Sequence, residues 1–193
     1  MREYWERELA NFGCSDDLLQ DQRVLDVGCG PHGLIHFLEN AAQRVRIDPL
    51  LLQYEMPERG LQSLVAIGEH LPLGSATMDV AVCFNALDHM QQPELAMAEI
   101  GRVLRPGGTA LFMVHTFPGW TAPLWWIDRL HPHHYTERGF LTSITRQFAV
   151  CQWTTIERRF DVPLRRWILP SSWKYLAAGL LVRSTYVRVT NSI

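Results

Sequence analysis

Short apolar runs alternate with amphipathic stretches along the first 115 residues. Val24 to Val27 is apolar except for Asp26 and runs into glycines, which reads as a buried strand. Gly33 to Ala42 spaces Leu34, Ile35, Phe37, Leu38 and Ala41 as one face of a helix. Arg44 to Ile47, closed by Asp48-Pro49, predicts a second strand, and Ser63 to Ile67 and Met78 to Phe84 a third and fourth. Pro93 to Leu104 is helical, with Pro93 suited to a first turn and Arg105-Pro106-Gly107-Gly108 as its stop. Thr109 to His115 predicts a fifth strand. Wholly apolar strands separated by helices imply a parallel sheet covered on both faces. The expected fold class is therefore α/β, doubly wound, with ligands taken at the carboxyl ends of the strands.

The remainder changes character. Thr116 to Tyr135 fits neither period and carries Pro118, Pro123 and Pro132, so it is expected to form a lid insertion after strand five. Thr136 to Gln147 predicts a helix, Val150 to Ile156 a strand, and Val182 to Val189 an antiparallel or edge strand. Charge follows the same division: net −8 through His115 and +6 beyond it, with six of the seven tryptophans in the second part. The overall charge of −2 excludes a generic basic nucleic-acid binder, so no nucleic acid is expected. With 47% apolar and 20% charged residues in 193, one domain with a full core is expected. Its parts are an N-terminal helical region (1–22), a core (23–115), the insertion (116–135) and a C-terminal helix with strands (136–193). No apolar run approaches the ~20 residues of a bilayer span. The charges in Met1 to Phe12 do not suit a signal peptide. Four cysteines without CxxC pairing suggest a reduced, cytoplasmic protein.

The candidate chemistry begins at VLDVGCGPHG, residues 24–33. Gly28, Gly30 and Gly33 form G-x-G-x-x-G between a strand and a helix, where glycine allows a tight turn and close ligand approach. Asp48 ends the next strand 20 residues after Gly28, the separation at which an acid meets ribose hydroxyls. No phosphate-loop motif with a Lys-Ser/Thr ending occurs. Asp26, two residues before Gly28, would repel a pyrophosphate and suits a ligand bearing an ammonium group. A side chain at Gly28 is expected to fill the ligand's space while sparing the fold.

These residues resemble the first motif, D-x-G-x-G, of the class I S-adenosylmethionine-dependent methyltransferases. The resemblance continues through VRIDPL, GEHLPLGSATMDVAVCFNALDHM and LAMAEIGRVLRPGGTALFMV, so it spans Arg23 to Val114 with its motifs in order. It implies a Rossmann-like sheet, S-adenosylmethionine as cofactor and a small-molecule acceptor. It also implies that Asp26, Gly28 and Gly30 surround the methionine end, that Asp48 accepts from the ribose and that Pro49 or Leu50 packs on adenine. Gly68 and Glu69 would then form the adenine loop through their backbone, and the Asn85 carbonyl would meet the methionine ammonium. Ile67 stands where such proteins often carry Asp.

The acceptor side is less specified. His115 ends strand five and is expected to face the cleft. His89 in Leu87-Asp88-His89-Met90 reads first as packing. Asp128-x-x-His131-Pro132-His133-His134 reads as a lid, with His133 and His134 as candidate general bases; metal binding through these imidazoles is the minor alternative, and no metal is expected. Trp120, Trp125 and Trp126 would wall an acceptor or fill the insertion's own core. Arg158, Arg159, Arg165 and Arg166 beside Trp153, Trp167 and Trp173 read as a solvated face, with an anionic substrate or peripheral membrane contact as alternatives. The function expected is methyl transfer to an oxygen or nitrogen of a small molecule. Cofactor binding without turnover, a lipid or quinone methyltransferase, and a nicotinamide dehydrogenase remain as rivals.

Overall fold

The computed structural model describes residues 2–54, 60–127, 131–157 and 182–191. Helix α1 (Arg2–Asn11) precedes β1 (Arg23–Val27), β2 (Gln43–Ile47), β3 (Leu61–Leu64) and β4 (Met78–Phe84). Then come α2 (Pro93–Val103), β5 (Leu104–Thr116), α3 (Glu137–Thr145), β6 (Ala149–Glu157) and β7 (Arg183–Thr190). The seven strands make one sheet in the order β3-β2-β1-β4-β5-β7-β6. The pairs up to β5 are parallel, while β7 lies antiparallel to both neighbours. This is the doubly wound, mostly parallel sheet with an antiparallel C-terminal strand.

Strand periodicity sorts the core into two layers. Leu25, Val27, Ala81, Cys83, Phe112 and Val114 point to one face and meet Ala96, Met97 and Ile100 of α2 and Phe140 of α3. Val24, Val80, Val82, Leu111 and Met113 point to the other and meet Trp5 and Leu9 of α1, with Leu34, Ile35 and Leu38. Each fully buried side chain of this size contributes about 1.5–3 kcal/mol. At the amino ends of the strands, Asp79 accepts from Arg23 at 2.8–2.9 Å and from Arg105 at 2.7 Å. These guanidinium contacts hold the Asp79 carboxyl well below the usual carboxylate range.

Two expected elements are corrected. The helix over Gly33 to Ala42 shrinks to a 3-10 turn at Leu34–Phe37, and Gly33 gives it no side-chain cap. So short a segment cannot offset helix nucleation. Leu34, Ile35 and Leu38 are nevertheless buried, because the sheet face holds them without a regular helix. The third strand is Leu61–Leu64 rather than Ser63 to Ile67, since its partner β2 ends at Ile47, opposite Leu64. The freed Ala66 and Ile67 turn into a cleft wall.

The insertion is closed at its base, where Phe117 N donates to Tyr135 O at 2.8 Å beside a Thr116–Tyr135 bridge. Among the described residues, no helix is long and apolar enough to cross a membrane.

Helix α1 also reaches the glycine loop: Trp5 Nε1 donates to His32 O at 3.2 Å, and the Trp5 ring meets Phe84 edge-on at 4.9 Å. Trp5→Phe removes the bond and part of the buried ring, so denaturant unfolding should show a loss of about 1–3 kcal/mol, combining the lost bond with the cavity left behind. Unchanged stability would remove this contact from the tie between α1 and the glycine loop.

Candidate functional site

A cleft of about 660 Å³ opens at the carboxyl ends of β1, β2 and β4. It lies where the chain leaves β1 toward β2 on one side and continues through β4 on the other, and its size is that of a small-molecule site.

The floor is the bend after β1. Gly28 has φ +69° and Gly30 φ +57°, the left-handed region that L residues avoid. Gly28 N donates to Ile47 O at 2.7 Å, folding the bend over the end of β2. A Cβ on Gly28 would lie 2.4 Å from Ala86 Cβ, whereas one on Gly30 would meet nothing within 4 Å. The expectation for Gly28 is therefore corrected: a side chain there strikes the loop after β4, so packing suffers as well as binding. Gly30 is the glycine whose missing side chain leaves space.

Asp48 closes one side. It is buried, and its two oxygens accept from Gly30 N at 3.0 Å and Leu50 N at 2.8 Å. The acid thus ties the glycine bend to the end of β2 while facing the cleft beside Pro49 and Leu50. Asp26 sits behind the bend rather than on the cleft lining. Its Oδ2 accepts from Ile35 N at 3.3 Å, and a Cβ on Gly33 would come within 2.5 Å of that oxygen. Burial pushes the Asp26 carboxyl up to about 7; Asp48 adds to the rise, and the Ile35 bond and Arg46 oppose it. Arg46 stands directly across from Asp26 in the β1–β2 register and is itself buried.

The opposite wall comes from the segments after β3 and β4. Gly68 lies so close to Met90 that a Cβ would sit 2.7 Å from Met90 Cε. Glu69 is buried, and its carboxylate accepts from Gln91 N at 2.8 Å and Gln92 N at 3.1 Å. It thereby caps α2, whose own Gln92 makes no side-chain cap. Asn85 is held at φ +51°, with its N donating to Met113 O at 2.8 Å. Asn85 lines the cleft, while its Oδ1 is enclosed behind that wall and has no partner among the described residues. An orphaned buried acceptor at a cavity is a place for a ligand's donor.

Of the expected cofactor residues, Gly28, Gly30, Asp48, Pro49, Gly68, Glu69 and Asn85 line this cleft, and Asp26 backs it. The expected acceptor-side histidines do not line it. His115 faces Ser184 on β7, with Nδ1 3.3 Å from Oγ. His133 Nε2 lies 3.2 Å from Gln91 O, and His134 packs against Phe117 at 5.7 Å. His89, read as packing, is exposed and on the lining, as is Gln91, and the half-buried Tyr54, Ala66 and Met90 line it too. Position just past a central parallel strand was the one signal that could have found His89 and Met90. Trp120 is 69% exposed and away from the cleft. Asp128, Arg158, Arg159, Arg165, Arg166, Trp167 and Trp173 lie outside the described residues, as do the side chains of Trp125 and Trp126. Cys29 in the bend is buried, and this desolvation, with Asp26 and Asp48 nearby, holds its thiol above the ordinary range, so it is no nucleophile.

Comparison with known proteins points to methyltransferases. A family model described as a methyltransferase domain matches residues 25–112. A thiol S-methyltransferase of Rattus norvegicus is 28% identical over 75% of this chain and 65% of its own length. A malonyl-[acyl-carrier protein] O-methyltransferase of Hahella chejuensis is 32% identical over 52% of this chain and 37% of its own. The chain thus spans less than two thirds of these relatives. A geranyl diphosphate methyltransferase solved in complex with S-adenosylmethionine superposes with a TM-score of 0.74 at 13% identity, covering 98% of this chain and 85% of that one.

Proposed function

Because a methyltransferase-domain model matches residues 25–112, we propose that the chain is a class I S-adenosylmethionine-dependent methyltransferase that holds S-adenosylmethionine in the cleft between the Gly28–Gly30 bend and Asn85 and methylates a small-molecule acceptor. The observation that carries this reading is Asp48. Its buried carboxylate meets the glycine bend inside one cleft, with Asn85, whose enclosed Oδ1 is unpartnered, on the facing wall. Bound there, the cofactor supplies a sulfonium-activated methyl group for in-line displacement.

The protein's share of the work is binding and alignment. Each Asp48 oxygen, bonded once to a backbone N–H, retains capacity for a ribose hydroxyl. Pro49, Leu50, Ile67 and Met90 offer apolar surface to the adenine. Gly30, lacking a Cβ, lets the ligand lie against the backbone. The Asn85 carbonyl takes the methionine ammonium, and Asp26 behind the bend balances its charge. Good alignment of donor and acceptor lowers a barrier by roughly 7–11 kcal/mol. The sequence expects oxygen or nitrogen as the acceptor atom; the activity named for the rat relative favours sulfur as a second reading.

The first test is ligand-induced thermal stabilisation by S-adenosylhomocysteine, with NAD as the comparison. Stabilisation by NAD alone would overturn the cofactor assignment. Turnover is read as S-adenosylhomocysteine release with phenol, amine and thiol acceptors. Asp26 adds a pH signature. With its carboxyl at about 7, Asp26 is mostly protonated at pH 6 and must lose that proton to meet an ammonium group. Affinity for S-adenosylhomocysteine should therefore fall roughly tenfold from pH 8 to pH 6 by calorimetry, and Asp26→Asn should flatten the profile. Without ligand the sign is opposite, because a raised carboxyl contributes stability at low pH that is lost as pH rises through about 7. A wild-type profile that is flat would remove Asp26 from the ligand's charge.

A further inference from the structure

We propose that Asp88, His89 and His131 form a mononuclear zinc site at the edge of the cleft, with an open coordination position toward the acceptor. The three side chains offer ligand atoms that all lie within 4.8 Å of one another. Asp88 and His89 belong to the 3-10 turn Leu87–His89 after β4, and His131 comes from the far end of the insertion. The sequence spacing does not reveal this group; the tertiary fold creates it.

Three observations support it. First, Asp88 is only 3% exposed, and its Oδ1 has no partner among the described residues. Its Oδ2 lies 3.9 Å from His131 Nε2, beyond hydrogen-bond length and an ion pair only when that imidazole is protonated. A buried carboxylate left in this state is costly, and a cation between it and the imidazoles removes the cost. Second, the His89 and His131 rings are neighbours, with centroids 4.5 Å apart. Third, the strap that carries His131 is fastened beside the turn: His133 N donates to Asp88 O at 3.3 Å, and His133 Nε2 lies 3.2 Å from Gln91 O.

The donor set selects the metal. Two imidazoles and one carboxylate with a fourth place left open match catalytic zinc, whereas magnesium seeks an all-oxygen shell. Bonds of about 2.0–2.1 Å give tetrahedral ligand separations of about 3.3 Å, so ligand atoms now within 4.8 Å of one another must close by up to about 1.5 Å. His89 is exposed and the His131 side chain 29% exposed, which gives both rings room to turn. His89 also lines the cleft, so the open position is reachable from it.

The use of this metal rests on the methyltransferase reading; its binding does not. A thiol that coordinates zinc loses its proton to solvent. The thiolate lone pair then forms the new S–CH₃ bond. The bond between that carbon and the donor sulfonium breaks, its electron pair returning to the donor sulfur, and the products are a thioether and S-adenosylhomocysteine.

The test uses the full chain in a Cys151→Ser background, because Cys151 is exposed and would take metal itself. Chelator-treated protein is titrated with zinc alone by calorimetry, and bound metal is counted by elemental analysis after dialysis. One zinc per chain is expected, undisturbed by excess magnesium, with a tetrahedral cobalt(II) absorption spectrum on substitution. His131→Ala and Asp88→Asn should each weaken zinc at least tenfold. His131→Ala, on the strap, keeps the test open should Asp88→Asn fail to fold. Stabilisation by S-adenosylhomocysteine is measured alongside as an independent readout. Folded protein that responds to S-adenosylhomocysteine but takes up no zinc overturns the site, as does zinc held equally by His131→Ala. Zinc bound as expected without any response to S-adenosylhomocysteine upholds the site and rejects the cofactor reading.

Discussion

Gly28→Ala is expected to destabilise the protein by about 2–5 kcal/mol, read as a lower denaturation midpoint. Two costs combine. An L residue at φ +69° loses roughly 1–2 kcal/mol, and forcing a methyl to 2.4 Å from Ala86 Cβ adds an overpacking penalty of about 1–3 kcal/mol. Against a typical total of about 5–15 kcal/mol, the loss is large. Adding Ala86→Gly separates the two, since it relieves the contact and leaves the backbone cost, so the double variant should recover only the packing part. Gly30→Ala pays the backbone cost alone, and its methyl enters open cleft, so it should reduce S-adenosylhomocysteine affinity more than stability. Equal stability of Gly28→Ala and wild type would refute the close approach of the two loops.

Asp48→Ala should weaken S-adenosylhomocysteine binding by about 1–3 kcal/mol, or roughly 5–150-fold by calorimetry. The ribose hydroxyls lose a charged acceptor. The bend also loses its tie, because the same carboxylate holds Gly30 N and Leu50 N. Asp48→Asn tells these apart: it keeps one acceptor oxygen, so it should restore part of the stability while binding stays impaired. Unchanged affinity in both variants would place the ribose elsewhere.

These two positions also mark what was readable from sequence. The order of strands and helices was legible because a parallel sheet covered on both faces leaves wholly apolar runs, as in Val80 to Phe84 and Ala110 to Val114. The glycine bend and Asp48 were legible because left-handed backbone and a strand-ending acid carry residue types that stand out. The Gly33 to Ala42 segment misled, since its apolar spacing serves packing on the sheet in a turn too short for a helix. The acceptor side is a different case. His133 and His134 stand out in sequence, yet the strap turns them toward Gln91 and Phe117, while the less conspicuous His89 reaches the cleft.

By itself the sequence determined the sheet class, the bend at the end of β1 and the acid at the end of β2, because local periodicity and backbone conformation depend on near neighbours. Only the tertiary structure decided that Ala86 excludes a side chain at Gly28, that Glu69 caps α2, and that Asp88 and His89 meet His131. Those contacts join segments far apart in the chain, and their distances follow from strand order and loop closure, which no local pattern encodes.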